Sequence, residues 1–183
     1  MESLPISLID RKYVDSLVFL SRRLSKLNAP WTIGGDLGEA LRTVRVNPDS
    51  VEIITSKSGA EQIFEAVKEY RPNEIVFQTE KLPRDAIVEG KTLPIYMQSH
   101  YFEFTVDSTK VKVYGDLQYR IDNWDWGDVL QFSPSPVYVM GEKVDAIPLL
   151  DKYDMYMKLG WVDRAEKVKK VLDRQKYRRF PQS

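Results

Sequence analysis

The chain has 183 residues, 43% hydrophobic and 30% charged, enough to bury one core, and no apolar run approaches the roughly 20 residues of a membrane span. Its 27 Lys and Arg balance 27 Asp and Glu, which gives no support to bulk electrostatic coating of nucleic acid. The absence of cysteine excludes disulfides, thiolate metal sites and cysteine nucleophiles together. Met1-Glu2-Ser3-Leu4-Pro5 lacks the basic start and apolar stretch of a secretory leader, so a cytoplasmic protein with no membrane partner is the expectation.

In chain order, Ile9, Tyr13, Val14, Leu17, Leu20, Leu24 and Leu27 form one stripe and predict a helix over 9–27. Asn28-Ala29-Pro30 ends it, because the residue before proline avoids helical geometry. Trp31-Thr32-Ile33 reads as a short strand, and residues 36–44 as a helix of about two turns entered through Gly34-Gly35. Asn47-Pro48-Asp49 is turn chemistry, followed by a β-branched strand over 51–55. A helix over 60–70 and a strand over 74–78 come next.

Residues 81–94, with two prolines and a glycine, read as loop. Alternation over 101–106 and 110–114 predicts a hairpin, with His100 at a strand start. Residues 116–128 read as an aromatic, acidic surface segment. There Trp124-Asp125-Trp126 either packs over a loop or contact surface, or stacks a base. Residues 137–145 suggest a second hairpin turning at Gly141-Glu142. From Pro148 onward two helices follow: Leu149, Leu150, Tyr153, Met157 and Leu159 stripe the first. Gly160 breaks the run before the second. The basic run over 164–179 is either a solvated helix face or a local phosphate contact. The class is α/β (α+β), a mixed β-sheet flanked by helices. Residues 1–146 form the α/β domain with its N-terminal helix, and residues 147–183 are a C-terminal helical pair packed on it.

The densest cluster of signals is Ile33-Gly34-Gly35, a short helix bearing Arg42 and Arg45, then Asp49-Ser50-Val51-Glu52 at a strand mouth. Later come Val111-Lys112-Val113-Tyr114-Gly115-Asp116 and a proline-started helix ending Lys158-Leu159-Gly160, with Asp163 opening the next. This order, over roughly residues 30–172, resembles the nucleotidyltransferase fold, including the minimal members found as toxins in toxin–antitoxin systems. In that fold a Gly-Gly turn grips a nucleoside triphosphate and strand carboxylates hold magnesium. Two metal ions about 3.5–4 Å apart stabilise the attacking and leaving oxygens of in-line transfer. Carboxylates two apart on a strand share a face and present ligands together, and glycine lets the backbone approach the phosphates.

The resemblance implies Asp49, Glu52 and Asp116 as catalytic and metal-ligating residues. Gly34, Gly35, Arg45 and Lys112 line the nucleotide, with Mg2+ and a nucleoside triphosphate as cofactors. Lys158 matches the lysine of the family's closing helix, and Asp163 its aspartate. The chain departs from the pattern twice: Ser50 holds the place of the first carboxylate of the pair, and Lys112 that of the third. Two functions follow. One is a magnesium-dependent enzyme moving a nucleoside monophosphate onto RNA, protein or a small molecule. The other is a catalytically silent module, without cofactor, that binds nucleotide, RNA or a protein partner. The family register also places Glu52 and Lys112 on one face, with the ammonium in salt-bridge reach of Glu52 or Asp49.

Overall fold

The computed structural model describes residues 9–179, with side chains as far as Lys176. Residues 1–8, on which the expectation about a leader falls, and residues 180–183 lie outside the described residues. Helix α1 (Arg11–Arg23) starts at Asp10, whose carboxylate accepts the Lys12 N–H at 3.1 Å. Helix α2 (Gly35–Ala40) is shorter than its sequence suggests, because its last turns give way to a loop in which Thr43 has φ +69°. Helix α3 (Lys57–Ala66) is capped by Ser56, whose hydroxyl accepts the Gly59 N–H at 3.0 Å, and ends in a single 3-10 turn over Lys68–Tyr70.

Strands β1 (Trp31–Ile33) and β2 (Val51–Thr55) pair antiparallel, and β2 runs parallel to β7 (Thr109–Ile121). Strand β6 (Ile95–Val106) follows, and β3 (Val76–Lys81) forms the edge, both antiparallel to their neighbours. The five-stranded sheet is therefore mixed, in the order β1-β2-β7-β6-β3. The β6–β7 hairpin is far longer than its central alternation indicates, so His100 lies mid-strand and residues 116–121 are strand rather than surface segment.

Alternation sorts the two faces of the sheet. Val51, Ile53, Phe102, Phe104, Val111 and Val113 turn to the core with Leu17 and Leu20 of α1, Leu24 at its C-terminal cap and Ile63 of α3. Burying each large side chain there contributes roughly 1.5–3 kcal/mol over leaving it exposed. On the other face Ile54, Met97, Tyr114, Leu117 and Ile147 make a separate cluster.

The segment read as loop after β3 contains a small hairpin, β4 (Ala86–Val88) and β5 (Lys91–Leu93). It closes on the break between α4 (Leu149–Lys158) and α5 (Val162–Arg179). Ile87 N–H donates to the Leu159 carbonyl at 2.9 Å, and Trp161 Nε1–H donates to the Asp85 carbonyl at 2.8 Å. Gly160 has φ +69°, and a Cβ there would stand 2.1 Å from the Ile87 carbonyl oxygen, so the break needs glycine on two counts. A further hairpin, β8 (Pro136–Val139) and β9 (Glu142–Asp145), turns through Met140 and Gly141 at positive φ, one residue before the expected Gly141-Glu142. The buried face of α4 is Leu149, Lys152 and Tyr156, whereas Leu150 and Met157 of the expected stripe are exposed. Among the described residues no helix is long and apolar enough to cross a membrane.

Candidate functional site

The strand β2 register decides the site. Glu52 pairs with Lys112 across the parallel β2–β7 ladder, and both line one cavity of about 820 Å³. The sheet forms its floor through Ile54, Tyr114, Leu117 and Tyr119, and α4 covers it with Asp151, Lys152, Met155 and Lys158. Cavities of this size hold small molecules, typically against mostly apolar walls with a few placed polar groups.

Gly35 brings the Gly-Gly turn against Glu52. Its φ is +57°, and a Cβ built there would stand 2.5 Å from Glu52 Oε2. Gly34 N–H donates to the Glu52 carbonyl at 2.8 Å, so the turn and the strand are joined through backbone as well. Burial pushes the Glu52 carboxyl above the usual carboxylate range, Lys112 and Lys152 pull it back, and Asp49 and Asp36 push it up again. Lys112 acts on Glu52 through space, but no ion pair joins them among the described residues, and none joins Lys112 to Asp49. The expected salt bridge is thus a shared wall rather than a contact.

Asp116 goes elsewhere for a local reason. His100 pairs with Gly115 and Gln98 with Gln118, so β7 carries one extra residue between those pairs. The bulge sits at Asp116, with φ +51°. Residues 112 and 114 line the cavity before it, and 117 and 119 after it. Asp116 itself accepts the Lys57 N–H at 3.0 Å, at the start of α3 and away from the cavity. Gly115 permits that approach: a Cβ there would meet Ala60 Cβ at 3.0 Å.

Of the residues singled out in the sequence, Gly35, Asp49, Glu52 and Lys112 line this cavity together, with Lys158 and Trp124. Gly34 supports it through the backbone. Arg45 lines a different cavity. Trp126 is covered by the Arg120 guanidinium, 4.8 Å from its ring centre. Asp163 pairs with Arg84 at 2.5 and 3.2 Å, outside the cavity. Arg42 is structural, its guanidinium donating to the carbonyls of Ser135, Ala146 and Ile147 at 2.7–2.8 Å.

Sequence reasoning missed Glu39 and Lys152. Glu39 is 1% exposed, and its Oε1 accepts from Tyr156 Oη, from Arg164 Nη2 at 3.2 Å and from Lys152 Nζ at 3.3 Å. Arg164 also pairs with Asp36. Burial and Glu39 push the Tyr156 phenol well above its ordinary range. Lys152 therefore stands between two carboxylates, bonded to Glu39 and pulling on Glu52. Its one sequence signal was position: a lysine on the Leu149/Tyr156 face of an amphipathic helix.

A divalent cation does not fit this donor set. Among the described residues no three acidic, histidine or cysteine side chains converge to hold one. Glu52 and Asp49 share their cavity with three ammonium groups, and the Ser50 hydroxyl donates to Asp49 Oδ1 at 2.7 Å. Magnesium prefers anionic and neutral oxygen ligands, and a lysine at the third position repels it.

No protein-family model matches the chain, and no curated protein matches it. Solved structures do. A protein from Thermotoga maritima, provisionally assigned as a nucleotidyltransferase, matches over 91% of this chain and 96% of its own, at 26% identity and a TM-score of 0.62. The chain has the nucleotidyltransferase fold. Two further solved structures match at lower similarity. ANT(2'')-Ia, solved with adenylyl-2''-tobramycin, matches at 11% identity and a TM-score of 0.48 over 90% of this chain and 92% of its own. The lincosamide adenylyltransferase LnuA, with lincomycin bound, matches at 8% and 0.47 over 89% and 98%. The assignment of the nucleotidyltransferase fold rests on the first of these. The protein is nucleotidyltransferase-like, with β2 and β7 side by side in a mixed sheet.

Proposed function

We propose that this protein is a catalytically silent member of the nucleotidyltransferase fold that binds a nucleotide in the cavity over Gly35 and Glu52. The observation that carries this reading is the pairing of Glu52 with Lys112 on one face. The fold's chemistry needs anionic oxygens that converge there to gather metal ions, and here Glu52 is flanked by Lys112 and Lys152 with no three acidic side chains converging among the described residues.

Those residues have work to do in binding. Lys112 from the sheet and Lys152 and Lys158 from α4 offer point charges to phosphate oxygens in the cavity. Gly35 keeps the backbone open beside Glu52, and Tyr114, Leu117, Tyr119 and Leu130 offer an apolar wall for a base. The general rule that function resides in the site rather than the scaffold applies with force here.

The test is equilibrium dialysis with radiolabelled ATP beside a transfer assay with labelled nucleoside triphosphates, Mg2+ or Mn2+, and total RNA or lysate. Retention of ATP without label on any acceptor is expected. Label transferred by the wild type and lost in Glu52→Ala overturns the reading in favour of an active enzyme.

A further inference from the structure

A second cavity, of about 700 Å³, opens between α1, the loop after α2, β8 and α5, and shares no lining residue with the first. Its body is apolar, built by Val14, Leu41, Val44 and Val139. Its charge is one-sided: Arg45, Arg164 and Lys167 face a single acid, Asp36, that Arg164 already engages. That surplus of two positive charges stands out in a chain whose totals balance.

The cations differ in how they are held. Arg164 is half-buried and fixed, because all its hydrogen bonds to Asp36, Glu39 and Tyr156 run through Nη2. Its Nε and Nη1 make no hydrogen bond among the described residues. Arg45 and Lys167 are exposed, and neither forms an ion pair among the described residues. The N–H groups of Arg45, Val46 and Asn47 likewise find no acceptor among the described residues. The loop carrying them begins at Thr43, a β-branched residue at φ +69°, a conformation that costs about 1–3 kcal/mol and clusters at binding sites.

We propose that this cavity binds a small molecule with an anionic head on an apolar body, the head held by Arg164, Arg45, Lys167 and the 45–47 N–H groups. Arg164 supplies the Nη1 and Nε donors that its Nη2 bonds leave over and hold in place, and the other two cations close over the head. Neither Arg45 nor Lys167 supports the fold, so both can be reversed in charge without loss of structure.

The experiment is fluorescence titration with 1-anilinonaphthalene-8-sulfonate and with N-phenyl-1-naphthylamine, the same apolar body without the sulfonate. The expected result is one saturable sulfonate site weakened about tenfold or more by Arg45→Glu with Lys167→Glu. The uncharged probe should bind more weakly and ignore that change, and Lys112→Glu in the other cavity should leave sulfonate binding unchanged. Sulfonate affinity that survives the double charge reversal overturns the proposal. So does equal binding of the uncharged probe, or binding that follows Lys112.

Discussion

Lys112 stands opposite Glu52 in the parallel pairing of β2 with β7, and both line the same cavity without forming an ion pair. The lysine therefore acts as a screened neighbour that holds part of the Glu52 charge in place. Lys112→Met should raise the Glu52 pKa further, measured by NMR titration of its side-chain carbonyl carbon. The coupling between Lys112→Met and Glu52→Gln in a double-mutant cycle should be below about 1 kcal/mol, as for a solvent-screened pair.

Glu52 should make stability fall as pH rises. At low pH its carboxyl is protonated both folded and unfolded and costs nothing. Above the ordinary glutamate value of about 4.3 the unfolded chain ionises first. Stability then drops until the pH passes the raised value in the folded state, and the deficit is complete above it. Glu52→Gln should consequently raise Tm more at about pH 8 than at about pH 3.5, read by thermal unfolding followed by circular dichroism.

Gly35→Ala should be costly both for folding and for the cavity. The left-handed conformation costs a non-glycine residue roughly 1–2 kcal/mol. The new methyl must also displace a carboxylate only 2.5 Å away, so Glu52 would leave its position. Urea unfolding should show the loss, and ATP retention should fall with it.

Glu39 should matter more to stability than any exposed acid. Glu39→Ala leaves Lys152, itself buried, and half-buried Arg164 without their shared carboxylate. Breaking such a buried group typically costs about 3–5 kcal/mol. Glu39→Ala combined with Lys152→Met should recover part of that loss, because one buried charge is then removed with its partner. Equal destabilisation of the single and double variants would count against the network.

Much of this was legible in the sequence. The Gly34-Gly35 turn, β2 and the first half of β7 were readable from residue type and a period of two, and the shared face of Glu52 and Lys112 from the strand register that the resemblance implies. Asp116 was expected among the metal ligands and lies outside the cavity, because a single inserted residue in β7 reverses the alternation and leaves no trace in the hydrophobic pattern. Glu39 and Lys152 were hidden for a different reason. Each is charged in a short or ordinary amphipathic helix, and only the packing of α2 on α4 and α5 shows that each is the other's partner. Arg45 illustrates the limit of a resemblance: its place along the chain is beside the Gly-Gly turn, but the loop at Thr43 carries it to the second cavity.

Isothermal titration calorimetry of the full chain with ATP, once in excess Mg2+ and once in EDTA, tests the central claim most directly. The same modest affinity in both buffers is expected, because Lys112 and Lys152 supply the positive charge that the fold otherwise takes from metal. Binding that is tight in Mg2+ and lost in EDTA would contradict the metal-free site, and no binding in either buffer would contradict the nucleotide assignment.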